Sequence, residues 1–280
     1  MLHDLAASLA NALLILPALC SLLTGFLGRR HTLQAENRIS KVCFVTAWML
    51  VLCATTLTVL WFIQGRTEHM LVQDIVGQVD SVSIGFLLMT AYATLITIKF
   101  SRYYLHREQG YSRFFAVIFL FVFGMNFLTL SGSMQDLLIG WEIIGLSSFL
   151  LIAFYHEREL PVRHALRAFA VYRVTDAALL LATVWLNSVA SQHVEHLPLP
   201  LLGTSAAGDP ALGLDPISIA VISALLVVAA SGKGAQWPFS TWLPRAMEGP
   251  TPSSAIFYGA LSIHAGILLL MRTSSLWMPV

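Results

Sequence analysis

The sequence predicts an all-α protein that crosses a membrane several times. Of its 280 residues, 57% are hydrophobic and only 11% are charged, whereas a soluble domain carries about 25% charged residues. Eight apolar stretches approach or reach the roughly 20 residues that an α-helix needs to span a bilayer. We therefore predict a polytopic helix bundle in contact with membrane lipids. The formal net charge of +1 gives no indication of nucleic-acid binding.

The predicted spans follow one another along the whole chain. They cover residues 5–27, 42–63, 81–100, 113–131, 134–155, 164–188, 213–231 and 251–272. The first span has no basic residue before it and no clean small-residue cleavage site, so we interpret it as a retained helix and not as a signal peptide. Cys20, Cys43 and Cys53 lie in or beside apolar stretches without a CxxC pair. This favours buried small side chains over a metal site or a disulfide.

Basic residues alternate between successive loops, which predicts the orientation of the helices. Arginine and lysine are concentrated in the first, third and fifth loops and after the seventh span. The second loop has more acidic than basic residues, and the sixth, residues 189–212, has no lysine or arginine. Cytoplasmic loops carry an excess of these residues. We therefore expect the N-terminus outside and the odd-numbered loops inside.

The sixth loop is rich in proline, glycine and small residues, which is typical of irregular structure. His193, Glu195 and His196 lie in it and could suggest a metal site. No further group of ligands follows nearby in the sequence, so a solvated loop is the favoured interpretation.

An ionisable residue in the fifth span is the first functional signal. A charge at mid-membrane costs about 2.5–3.5 kcal/mol on insertion scales, so it persists where it faces a protein interior or a water-filled path. Asp136 lies near the end of the span, whereas Glu142 lies deeper. A functional buried carboxylate at Glu142 is favoured over an interfacial glutamate that caps a helix or snorkels.

The sixth span contains a charged pair, Arg173 and Asp176. Residues three positions apart share one face of a helix. The pair could neutralise itself for insertion into the membrane. Alternatively, Asp176 could act on another buried cation.

Lys233 directly follows the seventh apolar stretch, between Gly232 and Gly234. Prolines at positions 238, 244, 250 and 252 come next, and a helix cannot continue smoothly through them. A broken helix at membrane depth is tolerated only where it is buried in protein or lines a cavity. Lys233 is therefore a candidate for a titrating lysine, with a snorkelling lysine at the end of a span as the alternative.

His264 lies inside the eighth span, and histidine titrates near neutral pH. A satisfied core histidine and a proton relay are both compatible with this position, and Tyr258 is a candidate hydrogen-bonding partner. Together with Glu142, Asp176 and Lys233, these residues distribute ionisable groups over spans five to eight. Conduction of protons or cations requires such a series. The first two spans lack such groups, which predicts packing helices.

Four segments of the chain match one protein family. They are GYSRFFAVIFLF, GWEIIGLSSFLLIAFY, RAFAVYRVTDAALLLA and GKGAQWPFSTWLPRAMEGPTPSSA. They resemble the antiporter-like subunits of respiratory complex I, most closely the large distal subunit (subunit L or subunit 5). Mrp-type sodium/proton antiporter subunits and the membrane subunit of the DAB inorganic-carbon uptake complex are related families. The resemblance extends from about Asp80 to Arg272, and the last segment is its most specific part.

The resemblance implies a role for three residues. Glu142 matches the buried glutamate of the family's GWE motif, and Lys233 matches the lysine at the break of the seventh helix. Asp176 matches the acidic residue of an RVGD motif, with Thr175 in place of the glycine. In this family the glutamate and the lysine form a pair whose separation gates proton movement. The resemblance therefore implies a buried Glu142–Lys233 switch.

The chain departs from the family pattern in two ways. The family usually has histidine where Tyr258 stands, and this chain has His264 six residues further on. Family members also carry a further inverted repeat of five helices with its own lysine. We therefore expect packing helices and an outer loop in residues 1–79 and the first half of an antiporter-like, proton-translocating fold in residues 80–280. Truncation, or a partner chain that supplies the second half, would both be compatible with this.

We predict a proton-translocating, antiporter-like subunit of a complex I-type or related assembly, located in a bacterial inner membrane with other membrane subunits as partners. The sequence has no flavin, iron–sulfur or nucleotide motif, so we expect no cofactor, no metal and no redox chemistry in this chain. One alternative is the membrane subunit of an inorganic-carbon (bicarbonate or CO₂) accumulation complex with a soluble, zinc-binding, carbonic-anhydrase-like partner. Others are an Mrp-type sodium/proton antiporter subunit and a non-conducting scaffold subunit.

Overall fold

The computed structural model describes residues 2–28, 33–65, 79–190, 215–256 and 261–276. Within these ranges, seven helices are long and apolar enough to cross a membrane. They are α1 (Leu2–Leu27), α2 (Leu33–Ile63), α3 (Ser81–Tyr104), α4 (Tyr111–Leu130), α5 (Met134–Ile152), α6 (Glu159–Ala190) and α7 (Pro216–Lys233). They coincide with the first seven predicted spans, so the predicted polytopic helix bundle is confirmed.

Of the eighth predicted span, the structure describes two helical parts, the four-residue α8 (Thr251–Ser254) and the eleven-residue α9 (Ser262–Arg272). Residues 257–260, between them, lie outside the described ranges. The predicted break after the seventh span is confirmed. Beyond the end of α7, short 3₁₀ turns at Ser240–Trp242 and Pro244–Ala246 replace regular helix. Prolines and glycines in this stretch remove backbone donors and side-chain contacts that a helix needs.

Three helices begin at a side chain that satisfies a free backbone amide. Asp80, Ser133 and Asp215 each accept a hydrogen bond from the backbone N–H three residues later, at the starts of α3, α5 and α7. Such N-caps satisfy amides that have no partner inside the helix. The hydrogen bond with Ser218 also lowers the pKa of the exposed Asp215 carboxyl. The caps fix where each of these helices begins.

α4 forms the centre of the bundle, and α1 and α5 pack against it. Asn126 of α4 is buried and donates from Nδ2 to the backbone oxygen of Leu13 in α1 over 2.7 Å. A Cβ atom at Gly140 would lie 2.7 Å from the backbone nitrogen of Leu128, so glycine permits the close approach of α5 to α4. α2 packs on α1 and α3. The division into residues 1–79 and 80–280 stays a prediction.

α6, α7 and α9 form a second group beside α5, whereas the short α8 packs against α3. α6 packs against α5 and α7, and α9 lies against α7, α4 and α5. The end of α7 therefore reaches the interior between α5, α6 and α9. This position determines the surroundings of Lys233.

The orientation predicted from the loop charges can be tested by labelling with a membrane-impermeant maleimide. In a background without the three native cysteines, Glu108→Cys lies in an exposed loop between α3 and α4, and Ile217→Cys lies at the exposed start of α7. We expect Ile217→Cys to react in intact cells and Glu108→Cys to react only in inverted membrane vesicles. The opposite pattern would show that the helices run in the other direction.

Candidate functional site

The side chain of Lys233 is fully buried at the end of α7. Its Nζ donates to the backbone oxygen of Trp141 in α5 over 2.6 Å. Nζ also lies 4.3 Å from the centre of the Trp141 ring and 5.4 Å from that of Tyr172. A carbonyl oxygen and two aromatic faces stabilise an ammonium group that has lost its water. Lys233 is therefore an interior lysine and does not snorkel to the surface.

Asp176 of α6 is buried next to this lysine site, with 3% of the residue exposed. One carboxylate oxygen accepts a hydrogen bond from Nε1 of Trp141 over 2.5 Å, and the other accepts one from Arg173 over 2.7 Å. Trp141 thus connects Asp176 with Lys233, because its indole donates to the aspartate while its backbone oxygen accepts from the lysine. Asp176 forms the local ion pair with Arg173 and is also joined to a second cation, Lys233, so its action on that cation stays a prediction.

Glu142 and Arg173 continue this network towards the surface of the chain. The same Arg173 nitrogen that contacts Asp176 donates to Glu142 Oε2 over 2.5 Å. The side chains of Glu142 and Arg173 are 39% and 40% exposed. We call the series Glu142, Arg173, Asp176, Trp141 and Lys233 the lysine network. With all four ionisable members charged, its net charge is zero.

The expected burial of Glu142 is not found, because its side chain is 39% exposed. Among the described residues no hydrogen bond or ion pair joins Glu142 directly to Lys233, so the Glu142–Lys233 switch stays a prediction. Glu142 pairs with Arg173, and Lys233 bonds to a backbone oxygen. Adjacent helix positions point in directions about 100° apart, which explains the difference. Trp141 faces the end of α7, so Glu142 points to one side of it, towards Arg173.

The network depends on a close approach between α6 and the end of α7. A Cβ atom at Gly232 would lie 2.1 Å from Thr175 Oγ1 and 2.3 Å from its Cγ2. Thr175 is fully buried, and its β-branched side chain has little freedom to move away. Glycine at position 232 therefore permits Lys233 to reach Trp141.

Within the described residues, no hydrogen bond joins His264 to the lysine network. His264 lies near the start of α9, half-buried, and its Nδ1 is a buried atom without a hydrogen-bond partner among the described residues. Tyr258 lies outside the described residues, as do His193, Glu195 and His196. The structure therefore joins Glu142, Asp176 and Lys233 but leaves His264 apart.

Sequence reasoning missed the contribution of Trp141 and of Tyr172. Both are fully buried, and their rings surround the lysine. The ring of Tyr172 also packs edge-on against Trp242, whose indole donates to the backbone oxygen of Gly232 over 3.0 Å. The available signal was the position of these aromatic residues directly before Glu142 and Arg173 in the sequence. An aromatic residue beside an intramembrane charge indicates a possible cation–π contact.

Comparison with known protein families gives two matches. Residues 131–280 match the family described as NADH:quinone oxidoreductase/Mrp antiporter, TM. Residues 71–115 match the family described as NADH-ubiquinone oxidoreductase (complex I), chain 5 N-terminus. The first match contains every member of the lysine network.

Among curated proteins, the chain is similar to two bacterial proteins named NADH-quinone oxidoreductase subunit L. It is 34% identical to that of Campylobacter jejuni over 71% of this chain and 32% of the relative. It is 33% identical to that of Neisseria meningitidis serogroup B over 99% of this chain and 42% of the relative. The match thus covers between 32% and 42% of the length of these relatives.

Two solved structures resemble the chain. A chain of the Mrp complex from Dietzia sp. is 26% identical, with a TM-score of 0.76 over 95% of this chain and 28% of that chain. A chain of the membrane-bound sulfane sulfur reductase, an archaeal respiratory membrane complex, has the same TM-score at 16% identity, over 97% of this chain and 54% of that chain. The second similarity concerns the fold alone.

Substitution of Gly232 tests the close approach of α6 and α7. We expect Gly232→Ala to lower the thermal unfolding temperature of the detergent-solubilised protein, because overpacking of a filled interior costs about 1–3 kcal/mol. Gly85→Ala is the matched control, since a Cβ atom there meets no atom within 4 Å. Adding Thr175→Gly should restore part of the loss, because it removes the obstructing side chain. Equal unfolding temperatures of the Gly232→Ala and Gly85→Ala proteins would contradict the packing argument.

Proposed function

The chain belongs to the antiporter-like membrane subunit family of NADH:quinone oxidoreductases and Mrp antiporters, and from this premise we propose that it translocates protons through Lys233. It is an integral membrane protein with seven apolar helices of spanning length in its described part. We further propose that it works as one subunit of a complex I-type assembly in a bacterial inner membrane. The bacterial relatives named subunit L support this assignment.

The complete burial of Lys233 is the observation that carries this proposal. Burial disfavours the charged form of a lysine, whereas a nearby carboxylate favours it. Lys233 is subject to both effects, because it is fully buried and Asp176 is joined to it through Trp141. When burial and a nearby carboxylate act on a lysine in opposite directions, a movement of the neighbouring charge changes the protonation of the lysine. Proton transfer in steps requires this property.

We propose that the Glu142–Lys233 switch acts through Arg173 and Asp176. While Arg173 is held by Glu142, Asp176 shares the arginine and retains negative charge to balance the Lys233 ammonium. If Glu142 is drawn away, Arg173 pairs with Asp176 alone and the lysine loses part of its counter-charge. A unit charge pair at 4 Å is worth about 4 kcal/mol at an effective dielectric constant near 20, which is about a thousandfold in a protonation equilibrium. This is the upper limit for the effect on Lys233, which Glu142 does not contact.

The exposure of the Glu142–Arg173 pair supports the proposal that other protein covers this face of the bundle. Both residues lie in the middle of long apolar helices, α5 and α6, where contact with lipid is costly for charges. We propose that a polar face of another membrane subunit, or of the remainder of a longer chain, covers the pair. The match to only part of each relative is consistent with either source.

The alternative assemblies receive less support. The names subunit L and chain 5 recur among the similar curated proteins, which favours a complex I-type assembly over an Mrp-type antiporter. The inorganic-carbon alternative, with its zinc-binding soluble partner, rested on the departure around Tyr258 and His264. His264 lies apart from the lysine network, and Tyr258 lies outside the described residues.

Variants of Lys233 test the proposed proton transfer. We expect Lys233→Ala to lower proton uptake into vesicles that contain the assembled complex by about 100-fold, the range in which a proton-transfer group contributes. Lys233→Arg should be equally inactive, because arginine keeps its charge but does not release its proton. Lys99→Ala, at an exposed position of α3, is the matched control and should retain uptake. A scaffold subunit would instead retain uptake in all three variants.

Affinity purification of the native protein, followed by mass spectrometry, tests the proposed assembly. We expect subunits of a quinone oxidoreductase to co-purify, because the similar bacterial proteins carry that name. Co-purification of a zinc-binding, carbonic-anhydrase-like protein would support the inorganic-carbon alternative. Sodium-dependent transport with Mrp-type subunits would support the other alternative.

A further inference from the structure

A second buried ion pair joins the end of α9 to the start of α3, remote from Lys233. Arg272 donates from one terminal nitrogen to Asp80 Oδ2 over 2.5 Å. Its other terminal nitrogen donates to Ser83 Oγ over 2.6 Å and to the backbone oxygen of Thr129 over 2.9 Å. The side chains of Arg272 and Asp80 are 4% and 16% exposed. Asp80 Oδ1 also accepts from the backbone N–H of Ser83 over 2.7 Å, so the pair is built into the cap of α3.

The geometry of this site is suited to holding one end of α9 in a defined position. The planar arginine contacts three groups from two helices at once, and a lysine could not reproduce this arrangement. Buried ion pairs contribute little net stability, because desolvation offsets much of their attraction, but in some proteins they specify one arrangement over others. The bonds of Arg272 therefore fix the end of α9 relative to α3 and to the last turn of α4.

The other half of α9 contacts the last turn of α7. A Cβ atom at Gly266 would lie 2.6 Å from the backbone oxygen of Ala230, one turn before Lys233. A Cβ atom at Gly234 would lie 3.7 Å from the backbone oxygen of Ile263. Gly266 and Arg272 are six residues apart, which is about 9 Å along a helix. A single short helix thus connects the Asp80–Arg272 pair with the break at Lys233.

We propose that Asp80 and Arg272 are positioning residues for transport. Their ion pair sets the position of α9 along its axis. α9 in turn supports the end of α7 and holds Lys233 against Trp141. This inference rests on the proposed function of Lys233, which the pair does not contact. Loss of the pair should therefore change the surroundings of Lys233 while every member of the lysine network is still present.

The test uses Asp80→Asn and Arg272→Gln in the complete assembly. Asparagine still caps α3, so Asp80→Asn removes the charge and spares the cap. We expect each variant to lower proton uptake per assembled complex by about 10-fold or more, since small displacements far from the reacting group have effects of that size. The pH profile of uptake should also shift. The double variant should be no worse than the poorer single one, because both changes remove the same interaction.

Arg102→Gln is the matched control, because Arg102 also joins two helices through its side chain, by a bond to Ser40 over 2.6 Å. It should leave the uptake per assembled complex and its pH profile unchanged. If Arg272→Gln fails to assemble, Arg272→Lys keeps the charge and should retain intermediate uptake. Loss of assembly alone, with normal uptake and pH profile in the complexes that form, would overturn the proposal.

A second readout does not depend on transport. Modification of Lys233 by a membrane-permeant amine reagent, followed by mass spectrometry, reports whether the lysine is still enclosed. We expect several-fold more modification in Asp80→Asn than in the parent or in Arg102→Gln. Unchanged modification overturns the positioning role, even if Lys233→Ala abolishes uptake. Normal uptake by Lys233→Ala would instead contradict the proposed function, while increased modification in Asp80→Asn would still support the mechanical link.

Discussion

The enclosure of one ammonium group within the helix bundle is the constraint on which the site depends. A charged lysine without water requires a hydrogen-bond acceptor, polarisable faces and a counter-charge. Trp141 supplies the first two from its backbone and its ring, and Asp176 supplies the third through the Trp141 indole. These groups come from α5 and α6, so the end of α7 must enter the space between them. The break in α7 and the glycine before Lys233 follow from this requirement.

Hydropathy and proline content were sufficient to predict the seven long helices and the interruption after Lys233, because both are local properties of the sequence. The spacing of Arg173 and Asp176 was also sufficient to predict their ion pair. The direction of Glu142 was not predictable, since it depends on how α5 rotates against its neighbours. The Asp80–Arg272 pair could not be predicted from a sequence pattern, because 192 residues separate its members and only the folded chain brings them together.

The resemblance pointed to Glu142, Asp176 and Lys233, which the structure joins in one network, but it implied a simpler geometry than the structure has. A direct glutamate–lysine contact would need both side chains in one pocket. In this chain, Arg173 stands between the two carboxylates, and Trp141 stands between Asp176 and Lys233. In the mechanism we propose, Glu142 acts on Lys233 through this arginine. A displacement of Glu142 would then redistribute charge in the network without any movement of the lysine itself.

The two halves of the lysine network differ in their exposure. Lys233 and Asp176 are enclosed by the chain, whereas Glu142 and Arg173 reach its surface. A bilayer does not solvate such an exposed pair, so its environment must come from protein or water beyond the described helices. Any change in that environment acts first on Glu142 and Arg173, which are joined to Lys233 through Asp176 and Trp141. The half-exposed pair is therefore the point at which we propose that a neighbouring subunit controls the buried lysine.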